Sequence, residues 1–152
     1  VPDIDAPTHA YVGASAGCWA IFGELSARRQ YAARYDASLI QLSVDSYMVQ
    51  HPGVAERRSI QSVCVHLISL CYQLEKGADG QAAIQILKRA AARSERFVWL
   101  EPPSFAGTLT VVDVAAASDL AQEEALTRRW AQSVWTAWRD HHALIRQWAA
   151  SL

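Results

Sequence analysis

The segment from Glu56 to Lys76 carries an unusually broad apolar arc: Ile60, Val63, Cys64, Val65, Leu67, Ile68, Leu70, Cys71, Tyr72 and Leu74. A helix apolar around most of its circumference is stable only when other elements cover it. The spacing therefore predicts a central helix, and Gly77 supplies the left-handed stop that such helices favour. At 152 residues the chain is long enough to bury one core without staples and too short for two independent ones. One domain over residues 1–152, wrapped around this helix, is the expectation.

The remaining elements follow from caps and periodicity. Val1 to Val12 carries Pro2, Pro7 and two aspartates and reads as an extended arm, 1–13 in all. Ser15 can cap a helix from about Ala16 to Gln30 that sets Cys18, Ile21, Phe22 and Leu25 on one face. Ile40, Val44, Tyr47 and Met48 form a second helical stripe, ended at or just before His51 by Pro52-Gly53. A peripheral amphipath follows from about Gly80 to Ser94, with Ala83, Ile84 and Leu87 inward and Lys88, Arg89 and Arg93 outward. Phe97 to Leu100, followed by Glu101-Pro102-Pro103, must be an extended connector. Thr110 and Asp113 form a capping box for a short helix from Val111 to Ala117, with Leu109 stapled against Val114. Asp119 and Gln122 then open a last long helix to about Ala150. The sum is an all-α bundle of four to five main helices with a Pro-rich connector, the last and central helices forming its spine.

Composition narrows the class of function. Half of the residues are apolar and only 19% are charged, which is a packed globule and not a solvating segment. The formal net charge of −1, with Arg and Glu scattered, leaves no basic stripe for nucleic acid or for an anionic membrane. No apolar run approaches the ~20 residues that span a bilayer, and no leader opens the sequence. Cys18, Cys64 and Cys71 make an odd number, which favours reduced thiols and a cytoplasmic location. Cys64 and Cys71 would lie about 10 Å apart along one helix, beyond the reach of a disulfide.

A few polar residues stand oddly among apolar ones. The polar stripe of the central helix reads Ser59, Ser62, His66, Ser69 and Gln73, with a cation only at Lys76. Exposed stripes usually carry Glu, Lys and Arg, so this one points to a lined cavity or to a close helix contact. Projected on the last helix, His141 falls in the middle of an apolar arc with Trp130, Val134, Trp138, Leu144 and Ile145, and should be buried; His142 sits at its edge beside Trp135. The plain alternative is that both are structural imidazoles. Cys18 would be the third residue of its helix, where the positive end of the dipole suits a nucleophile or a metal ligand; the centre of an apolar face is equally a place for inert packing. His51 ends its helix, where free carbonyls favour a cation.

His9, Cys18, His51, His66, His141 and His142 are donors of the kind zinc prefers. They match no compact finger or HExxH spacing, but bundles do assemble metal sites from separate helices. The leading expectation is a small protein with a His-rich internal site for zinc or another divalent metal, serving hydrolytic or other metal-assisted chemistry. His51, His66 and His142 are its first ligands, with Cys18 or His9 nearby and Asp45 as backing carboxylate or base. Catalysis, if any, would fall to Asp45 or Cys18. The rival is a binding module in which Trp135, Trp138, Ser62 and Ser69 line a pocket for an apolar or aromatic small molecule and the histidines only hold shape.

Thr8 to Tyr11, Ser15 to Trp19 (SAGCW), Val44 to Gly53 (VDSYMVQHPG), Ser59 to Leu67 (SIQSVCVHL), Leu74 to Gly77, Val98 to Pro103 (VWLEPP) and Trp130 to His142 (WAQSVWTAWRDHH) resemble a bacterial family, domain of unknown function 5946. The resemblance covers nearly the whole chain and implies no activity. Members of that family tend to begin with a Cys-x-x-Cys pair just ahead of the segment matching Pro2 to His9, which implies zinc. The 152 residues here contain no such pair, so the ligand set implied by the resemblance is incomplete in them.

Overall fold

The broad apolar arc of the central segment is buried as its pattern requires. In the computed structural model, which describes residues 1–31 and 36–152 (only the backbone for 30 and 31), it forms helix α3, Arg57–Lys76, closed by Gly77 at φ 68°. Around it stand α1 (Ala16–Tyr31), α2 (Ala37–Gln50), α4 (Gly80–Ala91), the short α5 (Val111–Ala115), α6 (Leu120–Ala137) and α7 (His142–Ala150). The described residues contain no strand, so the fold is all-α. No helix among them is long and apolar enough to cross a membrane.

Local chemistry sets the helix boundaries where the sequence places them. Ser15 Oγ accepts from the Cys18 amide at 3.3 Å, Asp119 caps α6 through the Gln122 amide, and Thr110 and Asp113 close a reciprocal capping box on α5. Phe97 and Leu100 are buried by an extended connector without a strand partner. Arg57 holds that connector by donating to the carbonyls of Ser94 and Phe97.

The spine differs from expectation. Helix α2, and not the last helix alone, joins α3 at the centre, packing against α3, α4 and α6. It buries five polar residues, Gln41, Ser43, Asp45, Ser46 and Gln50, and all five are bonded. Gln50 shows how: its amide nitrogen donates to Thr108 Oγ1 and the Leu109 carbonyl, and its oxygen accepts from the indole of Trp130. Gly80 lets α4 start against α2, since a Cβ there would stand 2.6 Å from the Ala37 backbone. On α4 the fully buried stripe is Ala83, Ile86 and Ala90, with Ile84 and Leu87 only half-buried.

The last helix is also not continuous. A 3₁₀ stretch, Trp138–His141, separates α6 from α7. Three residues per turn instead of 3.6 advance the side chains by about 20° more per residue, so four residues turn the arc by roughly 80°. That rotation takes His141 off the apolar face: it is half-buried and bonds the Glu101 carbonyl at 2.9 Å.

Candidate functional site

The donors singled out from the sequence are distributed over separate places. His142 stacks on Trp135, centroids 3.8 Å apart, and bonds the Trp135 carbonyl. His66 lies on α3 against Asp45, and His51 lies at the end of α2 against Cys18. Among the described residues no group of three or more His, Cys, Asp and Glu side chains stands close enough to share an ion. The expected convergence of His51, His66 and His142 is therefore absent among the described residues: His51 bonds the Tyr47 carbonyl, His66 bonds Asp45 and His142 bonds the Trp135 carbonyl. The tryptophans offered as pocket walls are core residues: Trp135 is buried and donates to Glu75, and Trp138 is buried and donates to the Val49 carbonyl.

The polar stripe of α3 does assemble a site. Asp45 of α2 is fully buried, and four donors converge on its carboxylate. His66 Nδ1 lies 2.6 Å and Gln41 Nε2 2.8 Å from Oδ1; Ser69 Oγ and Gln73 Nε2 each lie 2.6 Å from Oδ2. A carboxylate removed from water needs such a shell. Three of the donors sit at positions 66, 69 and 73, one face of α3 at helical spacing. The uncharged stripe is thus a helix contact at its Ser69-Gln73 end.

At its other end the stripe opens. A cleft of about 420 Å³ is lined by Tyr11, Arg58, Gln61, Ser62, Val65 and His66. Asp45 Oδ1 accepts here, so His66 carries a proton on Nδ1, and its Nε2 has no partner among the described residues. A larger hollow of about 540 Å³ against α6 holds no carboxylate, cysteine or histidine. Arg57 is engaged with the connector carbonyls, whereas Arg58, one residue on in the first turn of α3, has no side-chain partner among the described residues and lines the cleft. The cleft therefore combines an imidazole held by a buried carboxylate, a guanidinium without a side-chain partner among the described residues, and the hydroxyls of Ser62 and Tyr11. An imidazole backed by a carboxylate is also the arrangement that orients metal ligands, but His66 would bring the only His, Cys or carboxylate ligand among the residues lining the cleft.

The extended arm forms one wall. Ser59 donates to the Tyr11 carbonyl at 3.3 Å, and the Gly13 amide donates to the His51 carbonyl at 3.1 Å. Gly53, at φ 70°, accepts this close approach: a Cβ on it would stand 2.9 Å from the Tyr11 oxygen.

The second centre lies beyond that turn. Cys18 Sγ is 3.4 Å from His51 Nε2, and the Tyr47 hydroxyl donates to the same sulfur at 3.5 Å. His51 Nδ1 stands 2.9 Å from the Tyr47 carbonyl, which can only accept, so the ring proton sits there and Nε2 faces the thiol as an acceptor. Burial holds the His51 pKa below its ordinary value, against the opposing pull of that carbonyl bond. Burial, then the bond to Cys18, pushes the Tyr47 phenol well above its usual range. Trp19, Phe22 and Tyr47 pack around the pair, and His9, 5.1 Å from Trp19 by ring centroids, leaves a buried Nδ1 unbonded.

Sequence reasoning named Asp45, His66, Ser62, Cys18 and His51 but not Gln41, Arg58, Gln61 or Tyr11 as parts of a site, nor Tyr47 as anything beyond an apolar position. Helical spacing carried a signal for Arg58 and Gln61, which lie about two turns and one turn ahead of Val65; for Tyr11 there was none. No curated protein and no solved structure matches the chain significantly. The family model described as a family of unknown function, DUF5946, matches residues 6–139, and the chain belongs to that family.

Proposed function

We propose that the chain binds a small anionic molecule in the cleft beside His66 and exchanges a proton with it at Nε2 of that residue. The observation that carries this reading is the pairing, on one cleft, of an imidazole whose Nδ1 is held by a buried carboxylate with a guanidinium that has no side-chain partner among the described residues. A general base needs its tautomer and orientation held by a third group, and Asp45 does this for His66. Arg58 supplies charge for a carboxylate or phosphate, strengthened by its place in the first turn of a twenty-residue helix. Gln61 and Ser62 add neutral hydrogen-bonding groups.

The test is an NMR titration of the labelled protein with inorganic phosphate, following the His66 ring signals. Saturable movement at millimolar phosphate, lost in Arg58→Gln, supports the reading. Ring signals that stay fixed, or that move equally in Arg58→Gln, overturn it.

A further inference from the structure

The three cysteines are not equivalent. Cys64 and Cys71 are buried in the core, and burial pushes their thiols up to about 12 and about 11, with Glu75 adding to the rise at Cys71. Cys18 is only half-buried and sits among polar partners. A nucleophilic thiol is recognised by a base within hydrogen-bond reach, the base in turn held by a third group. Here the base is Nε2 of His51 at 3.4 Å, and the holding group is the Tyr47 carbonyl at 2.9 Å. The Tyr47 hydroxyl at 3.5 Å donates to the sulfur, where negative charge develops as the proton leaves. The position, third in the sixteen-residue α1, adds the positive end of that helix.

We infer that Cys18 is an imidazole-activated thiol, a site of selective mixed-disulfide formation with low-molecular-weight disulfides, at a centre separate from the His66 cleft. The S–H proton passes to His51 Nε2 as the sulfur attacks one sulfur of the small disulfide. The new S–S bond forms while the old one breaks, and the bonding pair leaves with the second sulfur, which takes the proton from the imidazolium. Cys18 is oxidised to the mixed disulfide, and half of the reagent is reduced to a thiol.

The probe is 4,4′-dithiodipyridine, followed at neutral pH by release of thiopyridone, with the modified residue located by peptide mass analysis. The reference is a synthetic peptide of residues 13–23, which contains the same cysteine without its partners. Cys18 in the folded protein should react at least about tenfold faster than in the peptide, a threshold set below the ~100-fold lower end of what a positioned base contributes, with Cys64 and Cys71 unmodified on that timescale. His51→Gln should bring the rate to the peptide's or below, and Tyr47→Phe should lower it less. A folded-state rate no greater than the peptide's overturns the inference, and that comparison stands even if His51→Gln disturbs the fold. An unchanged rate in a folded His51→Gln variant overturns it as well. Neither result bears on phosphate at His66, so the two readings fail separately.

Discussion

Two carboxylates, Asp45 and Glu123, lie buried among the described residues, and they are held in opposite ways. Glu123 of α6 meets Arg29 at 2.8 Å and Arg28 at 2.9 Å, and Arg29 also donates to Thr127 and Ser43. Its charge is matched by guanidinia that never lose theirs. Asp45 is met by two amides, a hydroxyl and an imidazole. The first arrangement ties α1, α2 and α6 together and leaves nothing to exchange. The second includes an imidazole whose other ring nitrogen has no partner among the described residues, and that residue borders a cleft.

The largest effect should come from the fixed pair. Arg29 is 2% exposed, and Arg29→Ala removes one side of a buried ion pair; unfolding in urea should show a loss of about 3–5 kcal/mol. A loss under about 1 kcal/mol would mean that Arg28 alone suffices and that the pair is no structural tie. Asp45→Asn should cost less, about 1–3 kcal/mol, because the shape is kept but an amide N–H now faces a donor. Its sharper readout is the imidazole: nitrogen shifts of His66 should show the ring proton no longer confined to Nδ1. An unaltered tautomer would remove the distinction between the two carboxylates. The smallest effect is in pH dependence, and it belongs to His51. Burial lowers its folded-state pKa, so the unfolded chain takes up a proton that the folded one resists. Stability should decline as pH falls through about 6.5 and level off once the folded ring also protonates. Titrating the urea midpoint in the native protein and in His51→Gln checks this; equal slopes would show that another group sets the dependence.

Much of the frame was legible because it depends on neighbours in sequence. Ser15, Asp119 and the Thr110-Asp113 box act within a turn of their own helices, and the arc of α3 declares its burial. The centrality of α2 was not, because its buried polar residues are satisfied by partners such as Trp130, eighty positions away from Gln50. His66 was visible through an uncharged stripe, which is a local pattern. Cys18 was expected near His51 only as part of a metal set; that the two meet as a thiol–imidazole pair could not be read locally, since they are separated by thirty-three positions. The misplacement of His141 followed from one assumption, a constant helical pitch through Trp138–His141.

The seating of residues 11–13 on the Pro52-Gly53 turn bears on both centres at once. Gly13 and Gly53 stand so close that a methyl on the first would come within 3.0 Å of the second's backbone. Tyr11, a wall of the cleft, and His51, the partner of Cys18, therefore share one mechanical joint. A substitution at either glycine is a lever on two chemistries, and their responses to it should rise and fall together.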